Sequence, residues 1–216
     1  MQHTEALRIG TAVPTPESEV APPTLALADA LDRAQFGVII TTSSRPPEFM
    51  NAYARRIVER GDGLVVRESG LEALRSSDTR VLRETIDLAC RRELTGCVTL
   101  MLPRAAAARP FAVHVPVPTY SGGAGLATVF VCDPAEEPLV AEASLTRLFG
   151  LTRAEAAFAA LLIKGRTVEE AAAALFISVH TARTHLKRIL MKTDTGRQAE
   201  LLKLLLTCSA QIRVEE

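Results

Sequence analysis

The chain has 216 residues, 48% of them hydrophobic, and its 25 basic and 25 acidic side chains leave no net charge. That length gives room for one large or two modest domains, each with a real core. With no apolar run of about eighteen residues and no basic-then-apolar leader, neither a membrane span nor a secretory signal is expected, and a cytoplasmic protein is.

Residues 1–24 hold Pro14, Pro16, Pro22 and Pro23 among Thr, Ser and Glu without apolar periodicity, and are expected to form a disordered tail. A helical pattern runs over residues 25–35. Phe36 to Thr42 is a β-branched run ending in turn residues, and Phe49-Met50-Asn51 is a short strand leading into a helix from Ala52 to Glu59. After the Gly61-Asp62-Gly63 turn come an extended piece, Leu64 to Arg67, and a helix from Asp78 to Arg92. Leu82, Ile86 and Ala89 or Cys90 form its inward stripe. Three further strands are expected at Cys97 to Leu102, Phe111 to Val117 and Leu126 to Cys132. In the second, Phe111, Val113, Val115 and Val117 alternate with Ala112, His114 and Pro116, placing His114 on the solvated face. Gly122-Gly123-Ala124-Gly125 fits a turn between strands better than a phosphate cradle.

Asp133 to Pro138 ends the last strand, and Leu139 to Phe149 follows as a connector helix stopped by Gly150. Cys90, Cys97, Cys132 and Cys208 are scattered without CxxC spacing, as thiols of a reducing cytoplasm are, so neither a zinc site nor a disulfide framework is expected. Domain limits are therefore expected at 25–134, with a connector at 135–150 and a helical unit at 151–216.

In that last unit Thr152 with Glu155 and Thr167 with Glu170 have capping-box spacing, Ser178 caps a helix from Val179, and Thr195 with Gln198 offers a third box. Phe176-Ile177-Ser178 forms a tight break. Helix, short turn and basic helix is the layout of a helix-turn-helix. Zero net charge hides a division: residues 1–150 hold 15 cations and 18 acids, residues 151–216 hold 10 and 7. From Ser178 to Arg197 the cations are Arg183, Lys187, Arg188, Lys192 and Arg197 against Asp194 alone.

His180, Arg183, Thr184 and Lys187 share one helical face, with Ala182, Leu186 and Ile189 opposite. Arg183, Thr184 and Lys187 suit base edges in the major groove of double-stranded DNA. His180, Thr181, Arg188 and Lys192 suit phosphates, which position the helix without reading sequence. On the last helix the leucines exceed a single packed stripe, so Leu201, Leu202, Leu205 and Leu206 are expected to serve dimerisation. A homodimer would hold two such helices about 34 Å apart on a near-palindrome.

This segment resembles the LuxR/FixJ-type helix-turn-helix domain of bacterial transcription regulators. The matching residues are Leu151-Thr152, Glu155, Gly165, Glu170, Ala172, Leu175-Phe176-Ile177-Ser178, Thr181, His185-Leu186, Arg188-Ile189-Leu190, Lys192 and Glu200. Val179-His180 and Ala182 depart from the commoner residues there. The resemblance implies an all-α four-helix domain in which Arg183, Thr184 and Lys187 face bases and the following helix pairs subunits. The front half resembles a PAS domain in element order and at the Asn51-Ala52 junction. That implies an α+β fold, a five-stranded antiparallel sheet with helices, that senses a small molecule or dimerises.

No Asn-Cys-Arg motif for a flavin adduct occurs, no helix histidine lies between His3 and His114 for haem, and residues 1–150 lack the lysine of a phosphorylated receiver. Tryptophan, typical of acyl-homoserine-lactone pockets, is absent from the chain. No cofactor is expected, and no nucleophile–base pair or metal-spaced cluster supports an enzyme. The expected function is sequence-specific DNA-binding transcription regulation. The alternative is an adaptor whose helical domain binds RNA polymerase or another regulator.

Overall fold

A computed structural model describes residues 23–105, 109–119 and 125–209. Residues 1–22 of the expected tail, Gly122 to Ala124 of the expected glycine turn and the C-terminal residues 210–216 lie outside the described residues. Helix α1 spans Pro23–Asp32, so it takes in the last two residues of the expected tail and stops short of Gln35. Proline suits a first helical turn, where its missing N–H has no intrahelical partner to lose.

Strands β1 (Gly37–Thr41) and β2 (Phe49–Met50) precede α2 (Ala52–Arg60). Then come β3 (Leu64–Arg67), β4 (Gly70–Ala73) and α3 (Ser76–Arg91). Strands β5 (Val98–Leu102), β6 (Phe111–Val115) and β7 (Ala127–Cys132) complete the front half. The main sheet is five-stranded in the order β2-β1-β7-β6-β5, all neighbours antiparallel, with β3-β4 a separate hairpin. This is the α+β, five-stranded fold expected; β4 is an addition to it.

Period-2 alternation decides which face is inside. Phe111, Val113 and Val115 on β6 and Ala127, Val129 and Val131 on β7 are all 0% exposed. Against them pack Ile57 of α2 and Leu82, Ile86 and Ala89 of α3. On the outer face His114 Nδ1 lies 3.0 Å from Thr99 Oγ1, as its solvated side of the strand requires.

Asn51 organises the junction between sheet and helices. Its carboxamide oxygen accepts from Ala54 N–H, capping α2, and from Val38 N–H; its NH₂ donates to the carbonyls of Leu31 and Phe36. A fully buried amide is tolerated because all its polar valences are met.

Connector helix α4 (Glu142–Phe149) begins three residues later than expected. Leu139 is held outside it by a two-bond clasp: its N–H donates to Gln35 Oε1 and its carbonyl accepts from Gln35 Nε2. Helices α5 (Arg153–Ile163), α6 (Val168–Ala174), α7 (Val179–Lys192) and α8 (Gln198–Ser209) then enclose a second core. Leu145, Leu151, Phe158, Leu162, Ala171, Ala182, Ile189, Leu201 and Leu205 fill it, and it shares no buried residue with the first.

Candidate nucleic-acid interface

Three local devices set the presentation of α7. Both full capping boxes form: Thr152 with Glu155 opens α5 and Thr167 with Glu170 opens α6. Ser178 Oγ accepts the Thr181 N–H at 3.0 Å and so starts α7. Between helices the chain stops in paired bonds that return to the preceding turn. Arg166 N–H donates to the Leu161 carbonyl and Gly165 N–H to Leu162; Ile177 N–H donates to Ala172 and Phe176 N–H to Ala173.

Such stops need one left-handed residue. Gly165 (φ 81°) supplies it after α5, but Phe176 (φ 55°) supplies it after α6 while 96% exposed. Glycine would suit that position better.

With the turn fixed, Ala182 and Ile189 point inward at 0% exposed, and Leu186 packs against the same core. His185 also turns inward, its ring 6.2 Å from that of Phe158, with Nδ1 buried and unpaired. The opposite side carries His180, Thr181, Arg183, Lys187 and Arg188, all exposed, and Thr184, half-buried with its hydroxyl donating to the His180 carbonyl. The residues expected at bases thus share one solvent face. Glu169, in the first turn of α6, lies 3.4 Å from Arg183 Nη2, so the start of α6 borders this face. Both partners are more than half exposed, and such pairs contribute about 0–1 kcal/mol, which a DNA contact can displace.

Lys192, expected at a phosphate, is paired within the protein itself. Its Nζ lies 2.6 Å from Glu155 Oε2 and donates to the Gly150 carbonyl at 3.0 Å. A 3%-exposed carboxylate and the terminal carbonyl of α4 both attract an ammonium, which turns it inward from the last turn of α7. Burial pushes the Glu155 carboxyl up, but Lys192, with the Thr152 N–H and hydroxyl, outweighs this and holds it below its ordinary value.

The leucines of α8 divide by helical phase. Leu201 and Leu205 are 0% exposed in the domain's own core and are unavailable to a partner, contrary to expectation. Four residues apart, they form the one inward stripe this helix needs. Leu202 is half-buried and Leu206 is 37% exposed. The expected box of Thr195 with Gln198 does not form either. Thr195 instead shares a hydrogen bond with Thr193, and Glu200 accepts the Gly196 N–H.

Two further cations border the interface without having been singled out in the sequence. Lys164 and Arg166 stand exposed in the α5–α6 turn, paired with Glu137 of the segment before α4. Among the described residues no helix is long and apolar enough to cross a membrane, and no cluster of three His, Cys, Asp or Glu could hold a metal.

Residues 150–205 match the family model described as bacterial regulatory proteins, luxR family. Comparison with curated proteins gives no match. Among solved structures, the phage VqmA–DPO complex is 20% identical with a TM-score of 0.37, over 85% of this chain and 86% of that chain. The Vibrio cholerae VqmA dimer studied without target DNA is 13% identical with a TM-score of 0.36, over 85% and 87%. VqmA bound to DPO is 12% identical with a TM-score of 0.37, over 89% and 98%. Likenesses so distant decide nothing about function, which rests on the matched family segment and its geometry. Residues 150–205, the segment that runs from Gly150 through α5, α6 and α7 into α8, thus carry a match to the helix-turn-helix of the luxR family of bacterial regulatory proteins, and the match reaches no further into the chain.

Proposed function

We propose that the protein is a sequence-specific transcription regulator of double-stranded DNA that acts as a homodimer. Arg183, Thr184 and Lys187 read bases in the major groove, while His180, Thr181 and Arg188 hold phosphates. The observation that carries this is the two-sided α7, whose Ala182 and Ile189 are buried while Arg183, Lys187 and Arg188 stand exposed. A helix docked on one side and cationic on the other is what a groove requires.

Leu202 and Leu206 on α8 supply the contact between copies, and residues 25–134 act as the regulatory unit in front. That unit takes a small molecule or pairs with its twin, a role supported by a five-stranded antiparallel sheet with helices packed on one face.

Selection of bound duplexes from a random pool with the full chain tests the reading. Enrichment of a near-palindromic sequence is expected, with salt-sensitive binding. An adaptor using the helical domain to hold RNA polymerase would enrich no sequence, and that result would end the proposal.

A further inference from the structure

The α5–α6 turn and the segment before α4 meet in a contact that neither core requires. Glu137 Oε1 lies 3.5 Å from Arg166 Nη2, and its Oε2 lies 3.9 Å from Lys164 Nζ. Two cations thus bracket the two oxygens of one anion. Arg166 stands three residues before Glu169, which itself touches Arg183 on the exposed side of α7. The bracketed anion therefore sits beside the groove-facing surface, at the start of the helix that crosses the DNA backbone in a helix-turn-helix.

Glu137 does not reach this turn freely. Glu136, its neighbour, is paired with Arg56 and Arg60 of α2 at 3.5 and 3.7 Å. Leu139, two residues on, is clasped by Gln35 through both its N–H and its carbonyl. The front domain fixes the backbone on either side of Glu137, and the helical domain receives its carboxylate.

We propose that Lys164 and Arg166 form a second phosphate-contacting site on DNA, and that Glu137 occupies it in the free protein as an internal stand-in for the phosphodiester. DNA must displace the carboxylate to use the site. Any change in the front domain that shifts residues 133–139 uncovers or covers two cations beside α7. The device rests on the DNA-binding reading above and adds to it a route by which the front domain adjusts affinity without touching the bases.

Binding titrations of the full chain on one fixed duplex, across a range of potassium chloride, test this. Because all three side chains are about half exposed, the effects are modest and the variants should fold. Glu137→Gln should tighten binding to every duplex about three-fold at 0.1 M salt or below, leaving sequence preference unchanged. The double substitution Lys164→Gln with Arg166→Gln should flatten the dependence of log K on log salt by about 0.9 per lost contact. In that background, Glu137→Gln should do nothing.

If Glu137→Gln has no effect, or keeps its full effect without the two cations, the masking role is wrong. If Arg188→Ala weakens binding but the double substitution leaves the salt slope intact, the phosphate site alone is overturned. A chain that binds no duplex sinks this inference together with the reading it rests on.

Discussion

Lys192 Nζ stands 2.6 Å from Glu155 Oε2 and joins the last turn of α7 to the capping box of α5. The carboxylate is 3% exposed and the lysine 35%, so the pair is shielded on one side only. Its folded-state pKa is held below the ordinary value. A group depressed in this way stabilises the fold above its unfolded pKa, about 4.3 for glutamate, and that contribution fades as pH falls through the lower folded value. Unfolding of the full chain by urea, followed by circular dichroism at pH 7 and at pH 3, should show a smaller acid loss in Glu155→Gln than in the unaltered chain. Glu155→Ala, which removes both the cap and the partner of Lys192, should cost about 2–3 kcal/mol at pH 7. Equal acid sensitivity in the Gln variant and the unaltered chain would show that the pair is not what holds α7.

The pairing of Lys192 with Glu155 is visible only in three dimensions. The spacing of Lys192 from Lys187 and Arg188 marks a cationic helix end, but the attracting carboxylate is 37 residues away in sequence. Several local signals, by contrast, held, although the Thr195–Gln198 box did not form. Both capping boxes at Thr152 and Thr167 formed, and the alternation of Phe111, Val113 and Val115 placed the inner sheet face correctly. Strand β4 escaped notice because Gly-Leu-Glu-Ala has little strand character. It is held by pairing with β3 and by Gly70, whose backbone (φ 107°) lies against that of Arg45. The leucine-rich α8 misled in the opposite direction. Excess leucine was legible, but composition cannot tell which of them face α5. Glu137 gave no signal, since a single acid acquires meaning only from the cations folded against it.

Specificity should concentrate at two exposed cations of α7. Arg183→Ala and Lys187→Ala are each expected to weaken the selected duplex by about 1–3 kcal/mol and to relax preference at one base position. Arg188→Ala should weaken matched and scrambled duplexes alike and lower the salt slope by about 0.9. Competition binding with single-base variants of the selected duplex separates the two patterns. Full affinity in Arg183→Ala would remove that residue from the base-reading set.

The two phases of α8 should behave oppositely. Leu205→Ala opens a hole in a closed core and should destabilise the helical domain by about 2–5 kcal/mol. Leu206→Glu should leave its unfolding midpoint nearly unchanged and shift sedimentation toward a single copy, because that side chain is 37% exposed before any partner arrives. A monomeric unaltered chain, or a dimer indifferent to Leu206→Glu, would move the subunit contact elsewhere.

Phe176 offers a test of backbone against side chain. It holds a left-handed conformation and buries almost nothing, with 96% of its surface exposed. Left-handed backbone costs a non-glycine residue about 1–2 kcal/mol, partly offset by the larger unfolded-state entropy of glycine. Phe176→Gly should therefore raise the unfolding midpoint, by about 0.5–1 kcal/mol in stability. A destabilised variant would mean that the ring makes a contact the free chain does not display.

The anchoring of residues 133–139 depends on Asp133. Its carboxylate is 2% exposed and accepts from Arg104 at 2.8 Å, Arg60 at 3.1 Å and the Ala135 N–H at 2.9 Å. Arg104 is itself 7% exposed, bonded also to Asp62 and stacked 4.3 Å above the Phe111 ring. Asp133→Ala leaves the buried guanidinium with half its partners, and removal of one member of a buried pair costs about 3–5 kcal/mol. Asp133→Asn, which keeps acceptor capacity but not charge, should cost less. Both belong in one urea series on the full chain. If the alanine variant loses under 1 kcal/mol, the network behaves like a screened surface pair. The strand end would then be too loosely held for the front domain to position Glu137, and Asp133→Ala would leave DNA affinity where it was.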